Sequence, residues 1–549
     1  MIKGSTLRDA IISGANNITK YKQSVDELNV FPVPDGDTGT NMSMTLNAAA
    51  RELSMLADSC SVSEVSEVAA SALLRGARGN SGVILSLLFR GFARGLKDKS
   101  EASASDIAES LLIGVESAYK AVMKPTEGTI LTVARKSAKR AQIVAADNSD
   151  PVFIWEQVCR KASETLDKTP EMLPVLKKAG VVDAGGKGLL VIYEGMLSVF
   201  KNNIIVDSVE STESIAPVDL SKNAAGEFDG EITFTYCTEF IVNKTNKLDP
   251  LALRAYLEAI GDSVVVVEDD NIIKVHVHTD NPGKALEEGL KFGYLFNMKI
   301  ENMREQHAAN VEASKKAQSA DEKFERVQPE KPYGFVAVCA GEGIKQLFCD
   351  LGVDNIVSGG QTMNPSTDDI LKAIMATPAQ TVFVFPNNKN IIMAAEQAIP
   401  LADRDVRVLH TKTIPQGLSA MLSFDPEAGV TDNLLAMTKA SDHVGTGQIT
   451  FAARDSDFDG YKIKKGEILA LENGKLSFIE KDVAKAAVKL TRGLVKRDTS
   501  FITIIYGKDI TEEMASEVEE GIRQKVSPDI EIAVVNGEQP VYYYIISVD

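Results

Sequence analysis

The segment LNVFPVPDGDTGTNM, from Leu28 to Met42, is the most informative stretch of the sequence. Its prolines stiffen the chain and its glycines permit tight turns, which together predict a loop. Asp35 and Asp37 lie two residues apart in this loop, so their carboxylates can converge on one hard cation. Because Mg²⁺ prefers carboxylate, phosphate and water oxygens, the pair predicts a magnesium site. A calcium-type site or a purely structural Asx-Gly turn is the alternative, although the spacing is not that of an EF-hand.

A helical pattern follows this loop from Asn41 onward. Thr38 and Thr40 offer hydroxyl groups for its N-cap, and the backbone N–H groups at a helix N-terminus favour phosphate. No lysine or arginine occurs between Lys22 and Arg51. A metal ion would therefore have to supply the attraction between this acidic region and a nucleotide phosphate.

Three further loops of the N-terminal part place glycines and a small hydroxyl or acidic residue before a helical pattern. They are GARGNSG at Gly76–Gly82, EGT at Glu127–Thr129 and DAGGKG at Asp183–Gly188. Each could simply cap its helix, which is the usual role of such residues. If the helices run antiparallel, the four N-termini could instead gather at one end of a helical domain. The sequence has no Walker A motif, so a P-loop enzyme is not predicted.

Length and composition limit the class of protein. The chain has 549 residues, for which three to four domains are expected at about 150 residues each. Its 59 basic and 77 acidic residues give a net charge of -18, which argues against broad electrostatic binding of nucleic acid or anionic membranes. No apolar run approaches the roughly 18 residues of a membrane span, and no signal peptide is evident. Five cysteines do not make a disulfide framework, so a reducing cytoplasm is the expected location.

Two polar stretches divide the chain into three parts. Residues 1–205 have helical spacing and predict an all-helical domain of about eight helices. After a linker at 206–229, residues 230–310 have the order β-α-β-β-α-β, which predicts a ferredoxin-like α+β domain. A second linker at 311–332 could also be a helix that frays into a linker. Residues 333–549 then alternate strands and helices and predict a parallel, doubly wound α/β sheet. The pattern becomes mixed after about residue 425, which predicts a second α/β subdomain there.

The middle part carries a candidate zinc site. Cys237 lies on the first predicted strand, and His276 and His278 lie on the third. These strands are neighbours in a ferredoxin-like sheet, so the three side chains are predicted to converge on its open face and bind a structural or interface-forming Zn²⁺. Glu239, His307, water or another chain could supply a fourth ligand. The alternatives are two exposed histidines beside an unrelated buried cysteine, and a hydrolytic zinc ion with an open coordination position.

Two loops of the C-terminal part are candidate ligand-binding segments. SGGQTMNPSTDDI, at Ser358–Ile370, follows a predicted strand and opens a helix that Ser366 is expected to cap. Asn387 and Asn388 follow another predicted strand. Both loops are therefore expected at the carboxyl edge of the sheet, where ligands bind in open α/β folds. Simple turn and cap roles explain these residues equally well.

The N-terminal motifs resemble those of a known family. LNVFPVPDGDTGTNM, LLRGARGNSGVILSLLFRGF, AVMKPTEGTILTVA and VVDAGGKGLLVIYEG are similar to the ATP-binding (DhaL) domain of dihydroxyacetone kinases. The form PVPDGDTGTNM most resembles the catalytic subunit of bacterial fatty acid kinases. The resemblance continues through KVHVHTDNPG, IENMREQH, SGGQTMNPSTDDI, PNNKNI and TKTIPQG, so it covers essentially the whole chain. The C-terminal part resembles the DegV-type fatty-acid-binding fold.

The resemblance implies an antiparallel eight-helix barrel that holds ATP and two Mg²⁺ at one end. Asp35 and Asp37 match metal ligands, and with Thr38 they are the implied catalytic residues. Dihydroxyacetone kinases place a third aspartate slightly before this pair, where this chain reads NVF, so Asn29 is the candidate third ligand. The other residues implied to bind the cofactor are Thr40, Asn41, Gly79, Asn80, Ser81, Gly82, Thr129, Asp183, Ala184 and Gly185.

The implied function is ATP-dependent phosphorylation of a fatty acid carboxylate, presented by a separate fatty-acid-binding protein, to give an acyl phosphate for phospholipid synthesis. Such a carboxylate is ionised at pH 7 and needs no general base. The resemblance also implies a homodimer. One alternative is a small-polyol kinase of the dihydroxyacetone type, against which stands the absence of any histidine before His276. The other is a non-catalytic, nucleotide-sensing scaffold, against which the intact Asp35 and Asp37 count.

Overall fold

The computed structural model describes most of the chain, namely residues 1–29, 37–122, 124–207, 234–246, 248–268, 272–302, 324–360, 363–458 and 461–549. Its contacts divide the chain into two compact units, of which one comprises Met1–Ser211 with Phe324–Asp549 and the other Thr212–Lys323. No helix in the described ranges is both long and apolar enough to cross a membrane.

The N-terminal part of the first unit is built from helices. They are α1 (Gly4–Asp26), α2 (Thr38–Leu53), α3 (Val62–Gly76), α4 (Gly79–Gly95), α5 (Ala104–Ala121), α6 (Ile130–Ala145), α7 (Pro151–Leu166), α8 (Thr169–Met172), α9 (Pro174–Ala179) and α10 (Ala184–Asn202). The predicted helical character is confirmed, and two short helices, α8 and α9, add to the eight long ones described. A two-residue antiparallel pair, β1 (Ile2–Lys3) with β2 (Glu101–Ala102), was not predicted. Each long helix packs against the next, and α10 packs against both α7 and α1.

The first and last long helices approach each other closely because small residues face each other. A Cβ on Gly195 of α10 would lie 2.7 Å from the carbonyl oxygen of Ser13 and 2.9 Å from the Cα of Gly14, both in α1. Buried polar side chains add bonds between the helices: Ser13 Oγ donates to Gly195 O at 2.6 Å, and Asn17 Nδ2 donates to Val191 O at 2.7 Å. These contacts hold α10 against α1, so the last long helix packs on the first.

The single tryptophan of the chain reports on this helical part. Trp155, in α7, is 1% exposed, and its Nε1 donates to Tyr193 O at 3.0 Å. Its ring meets those of Tyr193 and Phe200 edge-on. Its fluorescence therefore follows the packing of α7 on α10.

The second unit contains, in its described residues, the element order that the sequence predicted. The elements are β3 (Tyr236–Lys244), α11 (Pro250–Ile260), β4 (Gly261–Glu268), β5 (Ile272–Thr279), α12 (Pro282–Leu290) and β6 (Gly293–Asn302). The strands pair antiparallel in the order β4-β5-β3-β6. Ile273, Val275 and Val277 of β5 are buried with Leu253 and Leu257 of α11, so this side of the strand faces the helices.

The C-terminal part begins with a parallel sheet, as predicted. Its elements are β7 (Lys331–Cys339), α13 (Glu342–Asp350), β8 (Asn355–Ser358), α14 (Thr367–Met375), β9 (Ala379–Phe385), α15 (Ile392–Ala398), β10 (Asp405–Val408), α16 (Ile414–Leu422) and α17 (Val430–His443). The strand order is β10-β9-β7-β8. Strand β7 starts inside the predicted linker, which is therefore too long at its end. Pro332 is tolerated there because β8 pairs with β7 only from Val336 onward, so the missing N–H breaks no bond to β8.

A second sheet follows, in agreement with the expected mixed subdomain. Its elements are β11 (Gly445–Phe451), β12 (Ser456–Phe458), β13 (Tyr461–Ile463), β14 (Ile468–Glu472), β15 (Lys475–Glu480), α18 (Val483–Leu494), β16 (Phe501–Tyr506), α19 (Glu512–Arg523), β17 (Glu531–Asn536) and β18 (Tyr544–Val548). Six of these strands form a sheet in the order β15-β14-β11-β18-β16-β17, in which β16 and β17 are parallel.

The helical part and the first C-terminal sheet share a core. One buried cluster includes Leu46 and Leu73 from the helices together with Val338 and Ile370 from the C-terminal part. Helix α14 packs against α3, and α15 packs against α4. The C-terminal part is therefore in direct contact with the helices that carry the predicted site.

Candidate active site

Helix α2 begins at Thr38, three residues before the start predicted at Asn41. Asp37 is therefore its N-cap residue, and the Asp37 carbonyl accepts a hydrogen bond from Asn41 N at 2.8 Å. The predicted start was wrong because the opening Thr-Gly-Thr has low helix propensity, whereas a first turn needs no intrahelical partner for its N–H groups. The glycine is required for packing, since a Cβ at Gly39 would lie 2.2 Å from the carbonyl oxygen of Lys22 in α1.

The carboxylate that caps α2 belongs to Asp26, the last residue of α1, which the sequence analysis missed. Asp26 Oδ1 accepts hydrogen bonds from the N–H groups of Gly39, at 2.6 Å, and Thr40, at 3.2 Å, and Oδ2 accepts one from the Thr40 hydroxyl, at 2.7 Å. Burial raises the pKa of Asp26, and the bonds from Thr40 and Gly39 oppose this rise. Capping residues are usually adjacent to the helix, so a cap 13 residues before Gly39 leaves no local signal. Thr40, expected to cap the helix, instead donates to Asp26.

Asn29, the candidate third magnesium ligand, lies beside the start of α2. Its Nδ2 donates to Asp26 O at 2.9 Å, and its Oδ1 accepts a hydrogen bond from the Thr38 hydroxyl at 2.8 Å. The amide oxygen of Asn29 is thereby hydrogen-bonded to Thr38, the residue that follows Asp37. Asp35, the other predicted ligand, lies outside the described residues.

Helix α4 begins at Gly79, inside the loop predicted at Gly76–Gly82. The segment Gly79–Gly82, expected as a loop, therefore forms the first helical turn. Ser81 Oγ donates to the Thr38 carbonyl oxygen at 3.5 Å. The N-termini of α2 and α4 consequently meet, and both present backbone N–H groups to the same region.

The first turn of α4 forms a cradle with no room for side chains at its glycines. Gly79 has a φ of +57°, and a Cβ there would lie 2.5 Å from Asn41 Nδ2. A Cβ at Gly82 would lie 2.3 Å from Thr45 Oγ1. Between them, Asn80 Oδ1 is buried and accepts no hydrogen bond within the described part of the chain. A buried acceptor without a donor is costly, so this atom marks a place where a bound group can donate.

The other two predicted loops end in helix N-caps. Thr129 is the N-cap residue of α6, although its hydroxyl donates to Thr126 O at 2.7 Å instead of capping the helix. Asp183 is the N-cap residue of α10, and its Oδ2 accepts a hydrogen bond from Gly186 N at 2.7 Å. The glycine-rich segment after Asp183 was expected as a loop but belongs to the helix. As in α2 and α4, residues of low helix propensity are tolerated in the first turn, where the N–H groups need no intrahelical partner.

The start of α10 touches both α6 and α2. It opens with Ala184 and Gly185, and a Cβ at Gly185 would lie 3.2 Å from Ile130 Cβ in the first residue of α6. One turn later, a Cβ at Gly188 would lie 2.6 Å from Met42 Sδ in α2. The N-termini of α2, α4, α6 and α10 therefore gather at one end of the helical part.

The pKa of Asp183 yields a prediction for stability. Burial raises this pKa to about 6, and the N–H groups of Gly186 and Ile130 oppose the rise. A carboxyl with a folded pKa above its unfolded value of about 3.9 binds more protons when folded, so its contribution to the unfolding free energy falls as pH rises from about 4 to about 6. Asp183→Asn keeps a good N-cap and removes this loss. The unfolding free energy of the variant, relative to that of the wild-type protein, is expected to rise by up to about 3 kcal/mol between pH 4 and pH 7.

Urea unfolding followed by Trp155 fluorescence at the two pH values measures this difference. Parallel pH profiles for the two proteins would contradict it.

The C-terminal part brings a basic side chain to the acidic segment. The sequence itself has no lysine or arginine between Lys22 and Arg51. In the fold, Arg454 Nη1 donates to the carbonyl oxygens of Glu27, at 2.7 Å, and Asp26, at 3.3 Å. Burial lowers the pKa of Arg454, and Glu27 and Asp26 oppose this. The expectation that only a metal ion supplies positive charge to this acidic segment was therefore incomplete, because Arg454 also supplies it.

The backbone of the second unit places the candidate zinc ligands on adjacent strands, β3 and β5. Cys237 pairs directly with His278, and Glu239 pairs with His276. The side chains of Cys237, Glu239 and His276 lie outside the described part, as does all of His307. His278 Nδ1 lies 3.3 Å from Asp262 Oδ1. The described residues contain no group of three or more histidine, cysteine, aspartate or glutamate side chains that could hold a metal.

The two C-terminal loops meet at the carboxyl edge of the parallel sheet, as predicted. Asn388 Nδ2 donates to Gly360 O, which joins the loop after β9 to the loop after β8. Ser366 caps α14 in a capping box with Asp369, which confirms the predicted cap. A cavity of about 260 Å³ lies beside these loops and is also lined by Lys412.

Three sequence families match successive parts of the chain. Residues 32–198 match the DAK2 domain, residues 233–310 the middle domain of FakA-like fatty acid kinases, and residues 334–549 the C-terminal domain of FakA-like fatty acid kinases. Protein YloV of Bacillus subtilis is 42% identical over 554 residues, which span 100% of this chain and 99% of that protein.

Two solved structures are similar to parts of the chain. The DegV family protein Cg2579 from Corynebacterium glutamicum is 15% identical with a TM-score of 0.32, over 40% of this chain and 97% of that one. The dihydroxyacetone kinase from C. freundii in complex with AMP-PNP and Mg²⁺ is 15% identical with a TM-score of 0.28, over 35% of this chain and 33% of that one.

Proposed function

Because the chain belongs to the FakA-like fatty acid kinase family, we propose that it transfers a phosphoryl group from ATP to the carboxylate of a fatty acid, forming an acyl phosphate for phospholipid synthesis. The observation that carries this proposal is the meeting of the α2 and α4 N-termini beside Asp37. Phosphoryl transfer depends mainly on positioning and charge stabilisation, which such a site can provide.

The residues at this end of the helices fit a magnesium-bound nucleotide. The N–H groups that open α2 and α4 are suited to phosphate oxygens. The glycines at 79 and 82 let the first turn of α4 pack closely on Asn41 and Thr45 of α2, which keeps the two helix starts together. The buried Asn80 Oδ1, which accepts no hydrogen bond from the described residues, offers an acceptor to a bound group. Asp37, with Asp35 and Asn29, would hold Mg²⁺, which neutralises phosphate charge when bound.

The remaining predicted cofactor contacts have distinct proposed roles. Thr38, Asn41 and Ser81 would contact phosphates from the two helix starts. The α6 and α10 starts, with Thr129 and Asp183, would lie nearer the nucleoside. The fatty acid carboxylate is already ionised at pH 7, so no side chain of this chain has to remove a proton.

We also propose that a separate fatty-acid-binding protein presents the acyl substrate. The apolar cavity described within the helical part is lined by Leu88, Phe92 and Trp155 and measures about 30 Å³. That is about the share of one water molecule in the liquid, so an acyl chain does not fit there. This supports delivery of the carboxylate from outside the helices.

The decisive experiment combines the purified chain, ATP, Mg²⁺ and a bacterial fatty-acid-binding protein loaded with oleate, and detects acyl phosphate by hydroxylamine trapping. We expect product only when all four components are present. Phosphorylation of dihydroxyacetone instead of oleate would favour the small-polyol kinase, and nucleotide binding without turnover on either would favour the scaffold.

The domain limits, the zinc site, the oligomeric state and the location are further proposals. We propose domains at 1–205 and 230–310 and, with the start predicted at 333 moved to 331 by strand β7, at 331–549. The strand order of the second unit supports a ferredoxin-like sheet. The direct pairing of Cys237 with His278 supports a structural Zn²⁺ site, which elemental analysis of the wild-type and Cys237→Ser proteins would measure.

A homodimer and a cytoplasmic location stay predictions, to be checked by light scattering and cell fractionation.

A further inference from the structure

We infer that Asn364, from the C-terminal part, is a positioning residue that orients the Asp37 carboxylate for magnesium, an inference that rests on the proposed kinase function. Asn364 Nδ2 donates to Asp37 Oδ2 at 2.6 Å. Asn364 is 4% exposed and Asp37 is half-buried, so this hydrogen bond is partly shielded from water. A hydrogen bond to a carboxylate is stronger than one between neutral groups, and partial burial strengthens it further.

The Asn364 loop is fixed on the turn between α3 and α4. Arg78 Nη1 donates to Asn364 O at 2.7 Å, and Arg78 Nη2 lies 3.4 Å from Asp369 Oδ2. Thr367 N donates to Ala77 O at 3.1 Å. These contacts hold the loop backbone at Asn364 and just after it, so its amide meets Asp37 in a defined orientation.

The Asp37 side chain does not cap its own helix. Although Asp37 is the N-cap residue of α2, its carboxylate makes no capping bond to the described residues of that helix, because Asp26 supplies the cap. A carboxylate can accept a hydrogen bond on one oxygen and bind a cation with the other. Groups that hydrogen-bond to metal ligands fix the orientation of those ligands, and their loss typically lowers metal affinity or activity about 10–100-fold.

A second contact from the C-terminal part lies at the neighbouring end of α1. Arg454 donates to the carbonyl oxygens of Asp26 and Glu27 at the end of α1. The C-terminal part therefore contacts the end of α1 as well as the start of α2. The geometry of the proposed magnesium site thus depends on residues far away in the sequence, since Asn364 and Asp37 are 327 residues apart.

The test uses the full-length protein and a fluorescent ATP analogue, titrated with Mg²⁺. Asn364→Leu keeps the branching at Cγ and removes the polar amide, and Asn364→Ala removes the side chain beyond Cβ. Asn355→Ala is the matched control, because Asn355 also donates through Nδ2, to Thr377 Oγ1 at 2.8 Å, within the same C-terminal sheet layer. We expect both Asn364 variants to need at least about 10-fold more Mg²⁺ for half-maximal nucleotide binding, and the control to match the wild-type protein.

Two outcomes overturn the inference. One is a Mg²⁺ midpoint for Asn364→Leu within about twofold of the wild-type value, well short of the loss expected for a group that orients a metal ligand. The other is a loss of nucleotide affinity that is equal with Mg²⁺ and with EDTA, since that result indicates a packing defect. If the wild-type protein itself binds no nucleotide in a Mg²⁺-dependent manner, the proposed kinase function fails together with this inference.

Discussion

Replacing Asp37 by asparagine is expected to lower the rate of acyl phosphate formation on the order of 10³-fold, the size of effect seen when one electrostatic contact to a transition state is removed. Asparagine has nearly the same shape and is equally acceptable at a helix N-cap, so α2 should still form. What is lost is the negative charge that would bind Mg²⁺. The measurement is kcat/KM for ATP in the reconstituted reaction with oleate-loaded binding protein.

A matched control exists in the same group of helices. Asp150 is the N-cap residue of α7, and its Oδ1 accepts a hydrogen bond from Val152 N at 3.0 Å. Asp150→Asn makes the same chemical change at a helix N-cap away from the four gathered N-termini, so its rate should match that of the wild-type protein. An Asp37→Asn protein that retains about a tenth of the wild-type rate would exclude Asp37 as a metal ligand essential to the reaction.

The sequence motifs mark the four gathered helix starts to within a few residues, but not the residues that arrange them. Motifs such as DGDTG and ARGNSG are local, and glycine followed by a helical pattern marks them. Asp26, Asn364 and Arg454 act across 13 to 428 residues, and contacts at such separations leave no spacing that a single sequence reveals. Asn364 lies in a loop that was singled out as a ligand-binding edge, yet its contact with Asp37 requires the fold.

Helix starts and one linker were misplaced for a related reason. Helix propensity describes helix interiors, so the Thr-Gly-Thr of α2 and the Gly-Asn-Ser-Gly of α4 looked like loops. The charged segment ending in Pro332 looked like a linker, because proline disfavours strands in general and only the pairing of β7 shows that this position is tolerated. Strict alternation is a better guide, as in β5, where the alternate apolar residues Ile273, Val275 and Val277 are all buried.

Gly79→Ala is expected to weaken nucleotide binding at least about 10-fold and to lower the unfolding free energy of the helical part by about 2–4 kcal/mol. Two separate costs contribute. The φ of +57° is unfavourable for any residue with a Cβ, and that Cβ would lie 2.5 Å from Asn41 Nδ2. Asn41 is 4% exposed, so its amide has little room to turn away and the first turn of α2 is expected to shift. The N–H groups proposed to bind phosphate move with it.

Gly180→Ala separates the two costs. Gly180 has a similar φ, +68°, but a Cβ there would have no described atom within 4 Å. Its substitution should therefore cost only the backbone term, about 1–2 kcal/mol, and leave nucleotide affinity unchanged. Urea unfolding followed by Trp155 fluorescence gives both stabilities, because the only tryptophan of the chain lies in the helical part. Equal losses in the two variants would mean that Asn41 relaxes freely around the new methyl group, and the cradle at the start of α4 would then not be rigid enough to define a phosphate site.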